Sequence, residues 1–202
     1  MSRVALALAL VAALPATAPQ AAADEGGPLR FGLRVEVART GEAPVVTAGW
    51  LAAQVAEANR LFAPAGVAFE LAEGAPLPDS HRVMTTRRDR HRLAPRVGDA
   101  LVHVFVVESL ANVDEAGFIQ GVHWRSRPGG NYRHYVILSR IAGGSVLGHE
   151  LGHFFGNAHS DVPGNIMSYT RGEGPPAFDR SQLRRIRRFR DRFVESGELV
   201  AR

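Results

Sequence analysis

From His149 to His159 the sequence reads HELGHFFGNAH, and no other stretch constrains the chain as much. His149 and His153 are four residues apart, so on a helix they stand one above the other on a single face. That spacing lets two imidazole nitrogens converge on one metal ion, with the carboxylate of Glu150 beside them. Gly156 then closes the helix with a residue free to take positive φ, the usual device for a sharp reversal. The reversal can bring His159 to a third corner of a tetrahedron, leaving the fourth position open for water. With 8 His and 21 Gly in 202 residues, this pattern arises by chance in about one such chain in ten thousand. A helix with ordinary surface histidines is therefore set aside.

His149 to His153 is the H-E-x-x-H pattern of zinc peptidases. Met167 follows His159 at a short distance, inside NIMSY, Asn165 to Tyr169. On these residues the chain resembles the metzincin clan of zinc endopeptidases, whose long zinc motif precedes a methionine-containing turn beneath the metal. The path HSDVPGNIM resembles the matrixin branch, whereas Met-Ser-Tyr resembles the astacin, serralysin and pappalysin branches. The resemblance fixes the clan more firmly than the family.

It implies one zinc ion held by His149, His153 and His159, and hydrolysis of peptide bonds. Three neutral imidazoles leave zinc its full double charge, so the pKa of water held there falls to about 7. Glu150, which cannot comfortably reach the same ion, is expected to take the proton as general base and hand it to the leaving amine. The ion polarises the scissile carbonyl and stabilises the oxyanion. By resemblance to astacin-like enzymes, Tyr169 ligates resting zinc and then swings to the oxyanion; the alternative is a tyrosine packed under the turn. Met167 is expected to pack beneath the metal without ligating it. Ser160 and Asp161 are expected to orient His159 from behind. Nothing in the sequence speaks for or against calcium.

Residues 1–23 read as a secretory signal. Arg3 gives a positive start, Val4 to Leu14 is unbroken apolar sequence, and Ala21-Ala22-Ala23 offers small residues for cleavage. An uncleaved anchor is the alternative, and no later stretch approaches a membrane span. Residues 24–202 then form one catalytic domain, secreted to the extracellular space or the periplasm, not membrane-bound and expected to be a monomer. Its length suits a single core. The absence of cysteine excludes disulfides, and with them the cysteine that matrixin propeptides use to block zinc. Every basic residue is arginine, and the formal charge of +4 is modest.

Phe31 to Val37 alternates apolar and polar residues and predicts a first strand. Trp50, Leu51, Val55, Ala58, Leu61 and Phe62 recur at helical spacing behind a Thr47 N-cap. Pro64-Ala65-Gly66 stops that helix and Val67 to Leu71 returns as a strand, which suggests a parallel crossover. Ala100 to Val107 reads as a strand buried on both faces, with His103 a core or sheet-face residue and not a ligand. Gly117 to Trp124 and His134 to Ser139 are two more strands, joined at Gly129-Gly130-Asn131. By position, Gly117 to Trp124 resembles the antiparallel edge strand that pairs with extended substrate in metzincins. His123 and Trp124 are read evenly as cleft-lining or as ordinary edge-strand residues. The zinc helix is expected from Ser145, with Val146, Leu147, Leu151 and Phe154 inward. A last helix begins at Asp179, with Gln182 completing a capping box.

The fold class that follows is α+β and metzincin-like. It comprises a twisted, mostly parallel sheet of about five strands with an antiparallel edge strand, an active-site helix, a backing helix and a C-terminal helix. Two arginine-rich segments, 85–96 and 180–192, read most simply as solvated faces. A steering patch, an anionic wall or nucleic acid is their minority reading, and the first segment has no interleaved aromatics. The function expected is a secreted zinc endopeptidase acting on an extended protein or peptide substrate along the edge strand, without nucleic acid. A non-catalytic zinc domain that binds a protein or cell-surface partner is the alternative, and an anionic-polymer binder the third.

Overall fold

The first strand, β1 (Leu29–Val37), buries its centre and becomes the second-innermost strand of a five-stranded sheet. This computed structural model describes residues 27–130 and 132–202; the proposed signal, residues 1–23, and Asn131 lie outside them. Helix α1 (Ala48–Phe62) follows, with the Thr47 hydroxyl accepting from the Trp50 N–H and Arg60 in its last turn. Both ends thus carry groups that complement the helix dipole. Gly66, at φ +66°, turns the chain into β2 (Val67–Ala72), which pairs parallel to β1 with Leu33 opposite Leu71. This is the expected strand–helix–strand crossover.

Segment 85–96 is less solvated than its composition suggests. Helix α2 (Arg87–His91) opens with a capping box between Thr86 and Asp89. Arg90, however, turns inward. It is only 3% exposed, donates to the Ala111 carbonyl at 2.7 Å and lies 4.7 Å from the centre of the Trp124 ring. A guanidinium over an indole face keeps a favourable partner when water is removed.

Every residue of β3 (Val102–Val107) is buried, as a parallel strand covered on both faces requires. His103 is a core residue, bonded through Nε2 to Asp99 at 2.8 Å. Strand β4 (Gly121–Ser126) starts later than the sequence pattern suggests. Gly117 takes φ +123° and the Ile119 N–H bonds back to Leu110, so the chain bends before it enters the sheet. Strand β5 (Arg133–Ser139) pairs antiparallel with β4 and parallel with β3. The sheet order is β2-β1-β3-β5-β4, four strands parallel and the edge strand antiparallel.

Helix α3 (Val146–Phe154) packs on α1 and against β4 and β5. Its N-terminus receives no side-chain cap from Ser145. Instead the buried Gln54 of α1 accepts from the Leu147 N–H at 3.1 Å and donates to the Gly143 carbonyl at 2.7 Å. One amide thereby satisfies an orphan donor of the helix and locks its start to the backing helix. Close approach of α1 and α3 depends on Gly148, where any Cβ would collide with Leu61. Helix α4 (Arg180–Glu195) closes the core, with the Asp179–Gln182 capping box in place. Phe62, Phe69, Phe155 and Phe193 meet edge-on or tilted beneath the sheet. The architecture is the expected α+β one. No helix among the described residues is long and apolar enough to cross a membrane.

Candidate metal centre

His149 and His153 project from one face of α3, their rings 4.8 Å apart. At Phe155 the helix ends, and Gly156 reverses the chain at φ +85° with the Phe189 ring packed where a side chain would lie. The Asn157 N–H returns to the Gly152 carbonyl. This reversal delivers His159 to the other two rings. One nitrogen from each of the three histidines lies within 4.8 Å of the others, a group able to hold a metal ion.

The donor set fits a cation. His149 Nδ1 lies 2.7 Å from the Ile166 carbonyl and His153 Nδ1 lies 2.8 Å from the Asn157 carbonyl. A carbonyl can only accept, so each Nδ1 carries the hydrogen and each Nε2 is left with a lone pair. His153 Nε2 and His159 Nε2 stand 3.0 Å apart. Burial holds His149 below its ordinary pKa and pushes His153 down to about 4. Both rings are neutral near pH 7, the form that ligates metal.

Glu150 points into the same place from a buried position. Burial pushes its carboxyl up to about 8, only partly offset by a hydrogen bond from the main chain of His123. A neighbouring dication acts in the opposite direction and favours the carboxylate. Gly121 of β4 makes this approach possible: a Cβ there would lie 2.7 Å from Val146 and 3.0 Å from the Glu150 side chain.

Beneath the rings, Met167 is fully buried, and a side chain on Gly152 would collide with its sulfur. Its N–H is held by Asn165 Oδ1 at 2.8 Å, and Asn165 in turn pairs with Gln182 of α4. The methionine is a packing residue, as expected. Tyr169 does not pack under the turn. It is 81% exposed and its Oη lies 2.9 Å from His159 Nε2.

The expectation for Ser160 and Asp161 does not hold. Ser160 Oγ accepts from the Val162 N–H and the Ser160 N–H donates to the Met167 carbonyl, so this residue fastens the loop to the turn. Asp161 is exposed, and neither residue bonds the His159 ring. A hydroxyl two residues before a free N–H closes a local turn before it reaches a ring.

His123 and Trp124 both line an open cleft of ≈ 1610 Å³ that also contains the histidines, Glu150 and Tyr169. His123 Nε2 lies 3.0 Å from His134 Nδ1, and His134 Nε2 lies 2.7 Å from Glu198. Trp124 rests on Arg90 and donates its indole N–H to His91 Nδ1 at 3.3 Å. The sequence reading did not foresee the parts played by Gln54, Gly121, Gly152, His134 and Glu198. Only Gln54 carried a signal, as a polar residue on the buried stripe of an amphipathic helix.

No protein-family model and no curated protein matches the chain. Solved structures do. The chain is similar to an archaemetzincin from Methanopyrus kandleri, with a TM-score of 0.55 and 16% identity over 83% of this chain and 98% of that one. It is similar to mirolysin, with a TM-score of 0.58 and 13% identity over 80% and 91% of the two chains. Metalloproteinase-II from Bacteroides fragilis gives 0.53 and 13%, over 82% of this chain and 55% of the other. At such identities the likeness shows the fold alone: the chain shares the fold of these solved structures.

Proposed function

We propose that the chain is a zinc-dependent endopeptidase, exported by residues 1–23 to the extracellular space or periplasm, that cleaves extended protein or peptide substrates. One observation carries the reading: three imidazoles and a buried carboxyl converge in a cleft bounded by the edge strand β4. A purely structural zinc site has no use for the carboxyl.

His149, His153 and His159 would hold the ion, which when bound supplies Lewis-acid polarisation and acidifies water. Glu150 accepts a proton from the attacking water. It then releases that proton to the leaving amine. Tyr169 Oη, at the exposed rim beside His159, is a donor for the oxygen on which negative charge develops. The outer edge of β4 offers unpaired main-chain groups, so an extended peptide adds to it as a further strand.

The test is zinc content and cleavage of an unfolded protein by the purified chain, with and without chelator. Zinc near one equivalent and chelator-sensitive cleavage are expected, and Glu150→Gln is expected to keep zinc and lose turnover. Zinc retention with no hydrolysis across a peptide library would instead establish a non-catalytic zinc domain.

A further inference from the structure

Helix α4 carries seven arginines against two acidic residues, an excess larger than the formal +4 of the entire chain. The remainder of the protein is therefore close to neutral, and its positive charge resides on one helix.

The seven fall into two groups. Arg185, Arg187 and Arg190 reach back to the carbonyls of Gly156, Pro64 and Ala65. They tie the helix to the chain ends of α3 and α1. Arg180, Arg184, Arg188 and Arg192 do nothing of the kind. All four are exposed, and among the described residues none makes an ion pair or a side-chain hydrogen bond. They recur every fourth residue, so they run along the helix as a slowly turning row, with about 6 Å between neighbours and about 18 Å end to end.

Such a row has a cost. Like charges at i,i+4 destabilise a helix, and two of the nearby acids are otherwise engaged. Asp179 caps Ser181 and Gln182, and Asp191 pairs with Arg190. None of the four arginines lines the cleft.

We propose that this row binds a linear polyanion through a succession of phosphate or sulfate groups, each met by a guanidinium fork. The straight file of cations suits a chain of regularly spaced oxyanions. Nucleobases would need an aromatic platform. The aromatic ring between Arg188 and Arg192 is Phe189, which is half-buried and lies 5.9 Å from each guanidinium carbon. A membrane surface is less suited, because Leu183, Ile186 and Phe193 face the core.

The test is anisotropy of labelled inorganic polyphosphate and of a labelled sulfated oligosaccharide, titrated with the purified protein from 50 to 200 mM salt. These two probes distinguish phosphate from sulfate as the source of the anion. Binding to at least one is expected, with a log–log salt slope of about −2 to −3 for three to four contacts. Arg184→Gln/Arg188→Gln should weaken it about tenfold or more and flatten the slope by about 1.4. The same change at Arg185 and Arg187 should cost less. Zinc content and melting temperature of each variant report that the fold is intact, and chelator should leave binding unchanged, so the result is independent of peptidase activity. The proposal is overturned by absence of binding to both probes or by equal losses in the two double variants. Tighter binding to single-stranded DNA or to anionic vesicles at equal charge would also overturn it.

Discussion

Tyr169 Oη stands 2.9 Å from Nε2 of His159, although the tyrosine itself is 81% exposed. Packing does not hold the ring there, so it is free to leave. Partial desolvation of the hydroxyl against the cleft wall raises the phenol above its ordinary pKa, which keeps it a hydrogen donor at neutral pH. Tyr169→Phe is therefore expected to keep zinc and leave KM nearly unchanged while kcat falls on the order of a hundredfold, as for loss of one oxyanion donor. Steady-state kinetics with a zinc assay check this. An unchanged kcat would remove Tyr169 from the reaction.

Gly152 and Met167 pack directly against each other. A methyl group on Gly152 collides with the methionine sulfur, and Met167 is fixed above by Asn165. Gly152→Ala is expected to destabilise the protein by about 1–3 kcal/mol through overpacking and to weaken zinc binding. Because the two side chains share one contact, Gly152→Ala/Met167→Ala should lose less stability than the sum of the two single substitutions. Urea unfolding of the three variants gives the comparison.

The elements that could be read from sequence are those whose causes lie within a few residues. The histidine spacing, the Thr47 cap, the Asp179–Gln182 box and the apolar β3 are local patterns, and each occurs where expected. What could not be read depends on partners far along the chain. Gln54 serves the start of α3 across 93 residues. Arg90 looked like part of a charged run until the Ala111 carbonyl and Trp124 took it in. Ser160, expected to support His159, was claimed by its own turn. The free edge of β4 and its late start likewise depend on where Gly117 bends the chain.

The same long-range amide gives a stability prediction. Gln54→Leu keeps the volume but leaves the Leu147 N–H buried without an acceptor. A loss of about 1–3 kcal/mol is expected, with amide exchange at the first turn of α3 accelerated more than in β3. Uniform acceleration would show that Gln54 supports only global stability.

Glu150 makes the metal-free protein sensitive to alkali. Its folded pKa, about 8, lies above the ordinary 4.5, so the folded state holds a proton that the unfolded chain releases. That contribution is fully present below about pH 4.5 and is lost as pH rises through about 8. In chelator, Glu150→Gln should therefore melt higher than the parent at pH 9, and the two should converge towards pH 5. A bound dication favours the carboxylate, so the advantage should shrink once zinc is restored.

His123 works in the opposite sense. It sits against Phe154 with its Nε2 at His134, and burial pushes its pKa down to about 2 from 6.5. With a neutral His134 ring, Nε2 donates to the Glu198 carboxylate, Nδ1 accepts, and His123 donates its Nε2–H. Below about pH 6.5 the unfolded chain takes up a proton that the folded ring refuses, so stability is present above that pH and lost as pH falls towards about 2. His123→Phe retains the contact with Phe154 and abolishes this titration, at the cost of an unpaired nitrogen on His134. The variant should be less stable than the parent at pH 7 by about 1–3 kcal/mol. Between pH 7 and pH 5 the gap should narrow by up to about 2 kcal/mol, because only the parent loses stability through this group. Urea midpoints at the two pH values measure the difference, and a gap that widens in acid would mean that His123 is protonated in the folded protein.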